Sequence, residues 1–439
     1  MKKLFSYFTI KNIFENVQLW LFLCITTLLN FFPLWLTHKL GKAIGFAGYH
    51  FIKKFRKTAL LNLNLAFPEK PIKEKKQIAK QSCQHIAITI LELLCTKKIS
   101  KQLDNRIILN PKDLPKKDII WNRLSNQQGC IFFIGHQANW EIPFTFLSRY
   151  FPGIALAKKI KNQKIYKKII SLREKYKGRI HSPSGGIKLA KEKLLKGEFV
   201  GLVGDQSVLI SDYSCLFFGK KVWTSNSAAL LAYKTNTPVC NIFVKRKQLS
   251  NVFSSSELIF PNTKKPFKEE TNRIMDLLMK NLETSIKEAP EQWMWIHNRW
   301  KQKINPALKK MYRFHTILII ASSEQESFHF QLISALYELY KNAEIHLATN
   351  IKFRNILNNY LDITKFHKII TYKYENELKN LLNIYQGVFN FSHFKKINRH
   401  FLKTGSLHVF SKKKLMKTEN IVNLIPKQTF HEQKTLINY

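Results

Sequence analysis

A histidine and a carboxylate five residues apart are the residues best suited to chemistry in this sequence. His136 and Glu141 lie in the heptapeptide GHQANWE, which follows the apolar run CIFFI. A neutral imidazole can take a proton from a hydroxyl near neutral pH, and a carboxylate can fix its tautomer and stabilise the imidazolium. The spacing predicts general-base catalysis with Glu141 as the partner of His136. A structural histidine in a turn is the alternative, because 14 His and 29 acidic residues make chance spacings easy.

The elements around this pair predict an α/β fold. The glycine-bounded apolar run 129–135 is typical of a strand buried in a largely parallel sheet. Similar runs follow at 199–204 and 238–244, and helical patterns occupy 73–95 and 186–196. In open α/β sheets, ligands bind beyond the carboxyl ends of the strands, so His136 stands where function is expected.

The beginning of the chain carries a candidate membrane segment. Residues 17–36 form an uncharged run of 20 residues, and as a helix such a run spans roughly 30 Å. No Ala-x-Ala cleavage pattern follows, so an uncleaved anchor is expected. An interfacial helix is the alternative, since Trp20 and Trp35 sit near the ends of the run. Lysines flank both sides, so the positive-inside rule leaves the orientation open.

The charge of the chain indicates an anionic partner. Lys and Arg number 72 against 29 Asp and Glu, which gives +43, although a Lys-rich genome could inflate this figure. Residues 156–179 hold ten basic residues and one Glu, with a stripe at Ile165, Ile169, Leu172 and Tyr176. This pattern predicts an amphipathic basic helix for an anionic membrane, phosphates or an acidic carrier protein, or else a solvated face. No nucleic-acid-binding motif is present, so nucleic acid is not an expected partner.

The cysteines give no sign of a metal or a disulfide framework. All six are far apart, without a Cys-x-x-Cys pair or a Cys/His group at zinc-finger spacing. None lies in a motif with a base, so a covalent enzyme intermediate is not required. We expect neither a metal nor a cofactor.

Four motifs together resemble one known family. GHQANWE is followed by LVGDQS at 202–207, CLFFGKKVWTSNSAALLAYKTNTPV at 215–239 and PEQWMWIHNRWK at 290–301. In this order, across roughly 15–302, they resemble the bacterial lipid A late acyltransferases, the lauroyl and myristoyl transferase family. The N-terminal apolar helix is similar to that family's pattern as well.

The resemblance implies roles for individual residues. His136 would be the catalytic base and Glu141 its catalytic partner, while Asp205 would be a further acid in the active site. Lys158 stands where the family usually has an Arg, and it cannot reproduce the two-pronged hydrogen bonding of a guanidinium. Arg299 could bind a phosphate, or it could have a surface or capping role. The substrate-binding residues implied by the resemblance are Asn139, Lys158, Asp205, Gln206 and Arg299.

The resemblance also implies partners and a location. The acyl donor would be an acyl carrier protein thioester, the acceptor a hydroxyl of a lipid A precursor, and the surroundings an anionic membrane. The protein would lie at the bacterial inner membrane with its catalytic domain facing the cytoplasm. Another glycolipid or a glycerophospholipid is the alternative acceptor.

The predicted organisation is an anchor over 1–40, an acyltransferase domain over 41–305 and a second domain over 312–439. The first fold is α/β, with a mixed, largely parallel central sheet and flanking helices. The second is a small Rossmann-like α/β domain, because the runs TILIIA, EIHLAT, KIITY, GVFNF and GSLHVF alternate with other patterns, including a helix around 327–341. Its pattern resembles half of a two-domain glycosyltransferase, but it lacks a glycine-rich phosphate loop. A regulatory or docking module and a sugar-handling domain both remain open.

Overall fold

The structure is a computed structural model. It describes residues 2–95, 98–99, 106–109, 114–301, 312, 314–321, 327–359, 361–381, 385–392, 394–404, 406 and 408–411. The chain forms two compact units. Unit 1 comprises 1–52, 76–217 and 224–297, and unit 2 comprises 53–75, 218–223 and 298–439.

Helices and strands alternate through most of the described chain. The helices are α1 (Lys2–Phe31), α2 (Leu34–Phe51), α3 (Lys53–Ala66), α4 (Ile72–Leu94), α5 (Leu114–Ser125), α6 (Ile142–Tyr150), α7 (Gln163–Arg173), α8 (Pro183–Leu195), α9 (Ser227–Thr235), α10 (Phe267–Glu288), α11 (Ser327–Tyr340), α12 (Arg354–Asn358) and α13 (Lys395–Thr404). The strands are β1 (Ile107–Leu109), β2 (Cys130–Ile134), β3 (Gly153–Leu156), β4 (Gly178–His181), β5 (Phe199–Val203), β6 (Ser214–Phe217), β7 (Lys220–Trp223), β8 (Val239–Lys247), β9 (Ser250–Ser255), β10 (Thr316–Ala321), β11 (Glu344–Asn350), β12 (Lys368–Tyr372), β13 (Gly387–Asn390) and β14 (His408–Ser411).

The sheet of unit 1 confirms the expected mixed, largely parallel architecture. Its seven strands lie in the order β1-β9-β8-β2-β5-β3-β4, and only the β8–β9 pair is antiparallel. All five residues of β2 are buried, as a central strand with neighbours on both sides requires. The carboxyl ends of β2, β5, β3 and β4 therefore lie along one edge of the sheet.

The expected membrane segment 17–36 is not a single helix. Pro33 separates α1 from α2, because proline has no amide hydrogen to continue the helical ladder and its ring clashes with the preceding turn. Among the described helices, the segment Asn12–Phe31 is long and apolar enough to cross a membrane by length and composition, with mean hydropathy 1.3.

The expected basic helix over 156–179 is shorter than predicted. The helical part is α7, and the ends of this stretch belong to β3 and β4. The side chain of Asn162 caps α7 by accepting from the amides of Lys164 and Ile165. No residue of α7 is buried, so its weak apolar stripe lies at the surface of unit 1 and does not form a core.

Unit 2 is built on a second parallel sheet. Its five strands have the order β12-β11-β10-β13-β14, and all four pairings are parallel. Alternate residues of β10 enter two apolar cores: Ile317 and Ile319 join one cluster, and Leu318 and Ile320 join the other. A strand covered on both faces is the arrangement that βαβ crossovers produce. Residues 412–439 of the predicted second domain lie outside the described residues.

Candidate active site

Two neighbouring strands bring a histidine and an aspartate together. The strands β2 and β5 are parallel, with Ile134 opposite Val203, and the amide of Gly204 donates to the Ile134 carbonyl at 3.1 Å. His136 follows β2 by two residues and Asp205 follows β5 by two residues. Both side chains thus start from the carboxyl edge of the sheet, where α/β proteins bind ligands.

Asp205 is held by three hydrogen bonds, two of them with His136 and one with Trp293. The Nδ1 atom of His136 lies 2.5 Å from Asp205 Oδ1, and the backbone amide of His136 donates to Asp205 Oδ2 at 2.7 Å. Trp293 Nε1 donates to the same Oδ2 at 2.7 Å. Burial raises the pKa of Asp205, but the charge of His136 and these hydrogen bonds outweigh burial and lower the pKa to about 2. Asp205 is therefore an ionised, buried acceptor.

This arrangement determines which nitrogen of His136 can act as a base. An ionised carboxylate only accepts, so Nδ1 carries the hydrogen and Nε2 keeps its lone pair. The side-chain amide of Gln206 lies 3.3 Å from Nε2 and can donate to it. The side chain of His136 is 15% exposed, so the imidazole is not sealed inside the protein. The geometry suits proton abstraction from an alcohol.

Glu141 has a different partner from the one expected. Its carboxylate forms a two-pronged pair with Arg173, at 2.8 Å to Nε and 2.5 Å to Nη2. Both residues are described, and no hydrogen bond or ion pair joins Glu141 to His136. The His–Glu contact expected from the spacing is thus replaced: Asp205 holds the imidazole, and Glu141 holds Arg173 on α7. The physical reason is that neighbouring parallel strands bring Asp205 closer to the ring than the local turn brings Glu141.

The turn that carries His136 is fixed by buried partners. Gln137 exchanges hydrogen bonds with Ser285 of α10, at 3.0 and 3.1 Å. Ala138 has φ +47°, a left-handed conformation that a non-glycine residue keeps only when its surroundings impose it. Its amide donates to the Gln292 carbonyl at 2.8 Å, and its carbonyl accepts from Thr89 Oγ1 at 2.6 Å. The backbone on the carboxyl side of His136 is therefore preorganised.

Asn139 connects this turn to a buried charge cluster. It is 2% exposed, and its Nδ2 donates to Glu92 at 2.8 Å while its Oδ1 accepts from the amide of Glu141. Both functional ends of the side chain are thereby engaged with protein. The structure gives Asn139 an internal role in the turn, which differs from the substrate contact expected from the sequence.

Glu92 is the centre of that cluster. It is 1% exposed and accepts from Arg246 at 2.6 Å, from His38 at 2.9 Å and from Arg106 at 3.3 Å. Burial raises the pKa of Glu92, but the charge of Arg246 and the hydrogen bond from His38 hold it well below its usual range. A fully buried carboxylate of this kind is stable only with such partners. Sequence reasoning missed Glu92, Arg106, Arg173 and Arg246, because no local spacing marks partners that lie far apart in the chain.

The other predicted site residues fall into two groups. Gln206 lies beside His136, and Lys158 is exposed in the segment after β3, which ends at the same sheet edge. Arg299 is different, because its side chain is fully buried and donates to the Trp223 carbonyl at 2.9 Å, with both residues in unit 2. A surface role for Arg299 is thereby excluded, and its phosphate contact stays a prediction. Trp293 also donates to Asp205.

The fold and this site define an α/β enzyme with a histidine and a buried carboxylate at the carboxyl edge of a parallel sheet. Residues 11–302 match the family model for bacterial lipid A biosynthesis acyltransferases, so the chain belongs to that family. It is similar to the lipid A biosynthesis palmitoleoyltransferase of Escherichia coli K12, with 23% identity over 279 residues. The same identity and length relate it to the lipid A biosynthesis acyltransferase of Shigella flexneri. Each alignment covers 60% of this chain and 84% of the relative.

Proposed function

We propose that this protein transfers a fatty acyl chain from an acyl carrier protein thioester to a hydroxyl of a lipid A precursor. The observation that carries the proposal is the His136–Asp205 pair, which lies inside the region matched by the acyltransferase family. The names of the two relatives support lipid A as the end product. The strong positive charge of the chain suits a phosphorylated acceptor and an acidic donor protein.

The proposed reaction uses Nε2 of His136 as the base. Nε2 takes the proton of the acceptor hydroxyl while the oxygen attacks the thioester carbonyl carbon. The tetrahedral intermediate collapses, the C–S bond breaks, and the imidazolium returns the proton to the leaving thiolate. Asp205 stabilises the imidazolium and keeps the ring oriented, as carboxylates do in comparable dyads.

Two further groups have proposed roles at this edge. Lys158 lies after β3, two strands from β2 in the sheet order, and would supply positive charge to the developing oxyanion or to a phosphate. Glu141 would act as a positioning residue, because its pair with Arg173 ties the start of α6 to the end of α7. Gln206 would provide a polar neighbour for Nε2 of His136, the atom proposed to bind the acceptor hydroxyl.

The proposal extends to the surroundings of the enzyme. We expect an anionic inner membrane as the location, with the catalytic unit on the cytoplasmic side. The division into segments 1–40, 41–305 and 312–439 stays a prediction. The strand order of unit 2, with the first strand β10 in the middle, supports the Rossmann-like interpretation of that sheet.

The test is acyl transfer by the His136→Ala variant. We expect the rate with acyl carrier protein thioester and lipid A precursor to fall by about 10²- to 10⁴-fold, which is the usual contribution of general-base catalysis. The control is His50→Ala, because His50 is exposed on α2 and outside the site. Normal transfer by His136→Ala would refute the mechanism. Transfer by the unaltered protein to a glycerophospholipid and not to the precursor would refute the acceptor.

A further inference from the structure

The first helix has an uncovered apolar face. Between residues 12 and 31, α1 exposes a stripe of apolar side chains spaced three or four residues apart, with exposed fractions from 40% to 84%. This spacing keeps the stripe on one side of a helix. Its members are Ile13, Phe14, Val17, Trp20, Leu21, Ile25, Leu28 and Phe31.

The opposite face of α1 is anchored to unit 1 near its start. The side chain of Asn162 donates to the Glu15 carbonyl at 3.2 Å and to Gln18 Oε1 at 2.9 Å. The ammonium of Lys164 on α7 donates to Asn12 Oδ1 at 2.6 Å. The beginning of the apolar segment thus lies against the basic helix α7.

The same face is anchored to the same unit near its end. Leu29 is 2% exposed and belongs to a core cluster with Leu91 of α4 and Ile142 of α6. Asn30 Nδ2 donates to the Leu94 carbonyl at 3.2 Å. Both ends of the apolar segment therefore contact unit 1.

Contacts at both ends do not fit a helix that crosses a bilayer. From residue 15 to residue 30 the axis advances by about 22 Å, most of the roughly 30 Å of a hydrocarbon core. If α1 crossed the bilayer, the contacts with Asn162 and with the Leu94 carbonyl would lie near opposite membrane faces. Unit 1 would then have to carry polar loops through hydrocarbon, where irregular backbone exposed to lipid does not occur.

Helix α2 extends the uncovered surface. It exposes Trp35, Ile44 and Phe46, while Gly41 and Gly45 lie on its buried side. A Cβ atom at Gly41 would lie 2.7 Å from the side chain of Ile88, so only glycine lets α2 lie this close to α4.

Exposed basic residues accompany the apolar ones. They lie on α2 and in the segment before α7, and are Lys39, Lys42, Lys158, Lys159 and Lys161. Apolar side chains together with lysines are the chemistry of an interfacial helix on anionic lipid.

We propose that α1 and α2 lie in the plane of an anionic membrane, with α1 on the surface of the bilayer and not across it. The inference rests on the proposed function, since an enzyme acting on a lipid acceptor needs a bilayer beside its site. It goes further by placing both ends of the apolar segment on one side of the membrane.

The test is the accessibility of one cysteine at the start of the apolar segment of α1 and of another beyond its end, on α2. Asn12→Cys and Lys39→Cys are made separately in a Cys24→Ser background, because Cys24 is exposed. Sealed vesicles of one orientation are treated with a membrane-impermeant maleimide, and Lys191→Cys on α8 reports the side of unit 1. We expect all three positions to be labelled from the same side. Labelling of positions 12 and 39 from opposite sides would overturn the proposal.

A second measurement uses an acidic residue on the apolar stripe. Leu21→Asp should lower binding to phosphatidylglycerol-containing vesicles by at least tenfold. Leu195→Asp on α8, with 65% exposure against 61% for Leu21, should bind like the unaltered protein. Equal binding of the two variants would contradict the assigned surface. The labelling result does not depend on catalysis, so retained activity of His136→Ala would refute the proposed mechanism, and absence of acyl transfer by the unaltered protein would refute the proposed function, without touching this inference.

Discussion

Each unit holds a histidine paired with a carboxylate, but the two pairs differ in exposure and in the partner of the second imidazole nitrogen. In unit 1, Asp205 engages Nδ1 of His136, and Nε2 faces an amide at the partly open sheet edge. In unit 2, Nε2 of His346 lies 3.3 Å from Glu344 and Nδ1 lies 2.8 Å from the hydroxyl of Tyr385. Both nitrogens of each imidazole therefore have a protein partner, but the side chain of His136 is 15% exposed and that of His346 is 6% exposed. One pair can act as a base, and the other is suited to holding a structure together.

The pKa of the carboxylate is lowered in both pairs, with different main causes. The hydrogen bond from His346, helped by the charge of Lys220, lowers the pKa of Glu344 to about 2 against the effect of burial. The pKa of Asp205 is also about 2. A lowered carboxyl pKa therefore does not by itself distinguish the proposed catalytic pair from the pair in unit 2. The two pairs differ instead in the exposure of the imidazole, which is 15% for His136 and 6% for His346.

The two sheets also differ in which ends of their strands carry the histidine–carboxylate pair. The carboxyl ends of β2 and β5 carry His136 and Asp205, whereas Glu344 lies at the amino end of β11. At the carboxyl end of β13, Asn390 is 0% exposed and bonds Asn398 and Ser392. A parallel sheet provides an edge suited to ligands, but the side chains at that edge decide whether chemistry follows.

Among variants that test this comparison of the two pairs, we expect the largest effect on kcat from a change at Asp205. Asp205→Asn should lower kcat by about 10³-fold, because a carboxamide stabilises the imidazolium poorly and can impose the wrong tautomer. Glu344→Gln is the matched change in unit 2 and should leave the rate unchanged. Steady-state kinetics on both variants tests the comparison. A fall of less than fivefold for Asp205→Asn would mean that the carboxylate does not serve the base.

The buried cluster around Glu92 should affect stability more than any surface pair. Glu92→Gln removes the charge that compensates Arg246 and Arg106, so the free energy of unfolding should fall by about 3–5 kcal/mol. Glu269→Gln, in the exposed pair with Lys265, should change it by less than about 0.5 kcal/mol. Chemical denaturation measures both values. Similar losses of unfolding free energy in the two variants would contradict the prediction that burial makes the Glu92 cluster more important for stability than an exposed ion pair.

A change at Glu141 tests whether His136 depends on Glu141, five residues away in the chain, or on Asp205, 69 residues away. Glu141→Gln should lower kcat by about tenfold, through loss of alignment between α6 and α7, and should leave the pH dependence of kcat unchanged. The comparison is with Asp205→Asn assayed over the same pH range. If Glu141→Gln reduced the rate as strongly and shifted the pH profile, the carboxylate five residues from His136 would be its catalytic partner after all.

The smallest expected effect concerns acid stability. Burial, with a contribution from the charge of Lys301, lowers the pKa of His315 to about 3. Between about pH 6.5 and pH 3 the unfolded chain binds a proton that the folded chain does not, so stability falls as the pH falls. The contribution is at most about 1.4 kcal/mol per pH unit.

The measurement is urea unfolding of the full chain and of His315→Gln at pH 7 and pH 5. The variant should lose less stability between these two values than the unaltered protein. A larger loss in the variant would reverse the assigned sign. His50→Gln, an exposed histidine in unit 1, serves as the control and should not alter the difference.

Local patterns sufficed for many elements of the fold. The apolar runs at β2, β5 and β8 predicted buried parallel strands, and β10 to β13 followed from the same signal. The proline that divides 17–36 was visible in the sequence, but hydropathy over a long window gave it too little weight. The basic stretch 156–179 was predicted as one helix because charge and spacing do not reveal the strand ends on either side.

Partners within the site were much harder to predict. Asp205 lies 69 residues from His136 and Glu92 lies 47 residues from Asn139, so no helical or strand period connects them. Arg173 looks like the other nine basic residues of its stretch until α7 brings it to Glu141. The face of α1 that meets unit 1 likewise depends on Asn162 and Leu94, which are remote in the chain.

The sequence by itself indicated the class of the protein, the histidine proposed as the base and the strands that present it, because apolar runs and contiguous motifs are local properties of a chain. Only the tertiary structure decided that Asp205 holds His136, that Glu141 holds Arg173 and that α1 lies along unit 1. These facts depend on the register of neighbouring strands and on the packing of helices. Contacts between distant residues form only when the hydrophobic cores close, so no spacing along the chain records them.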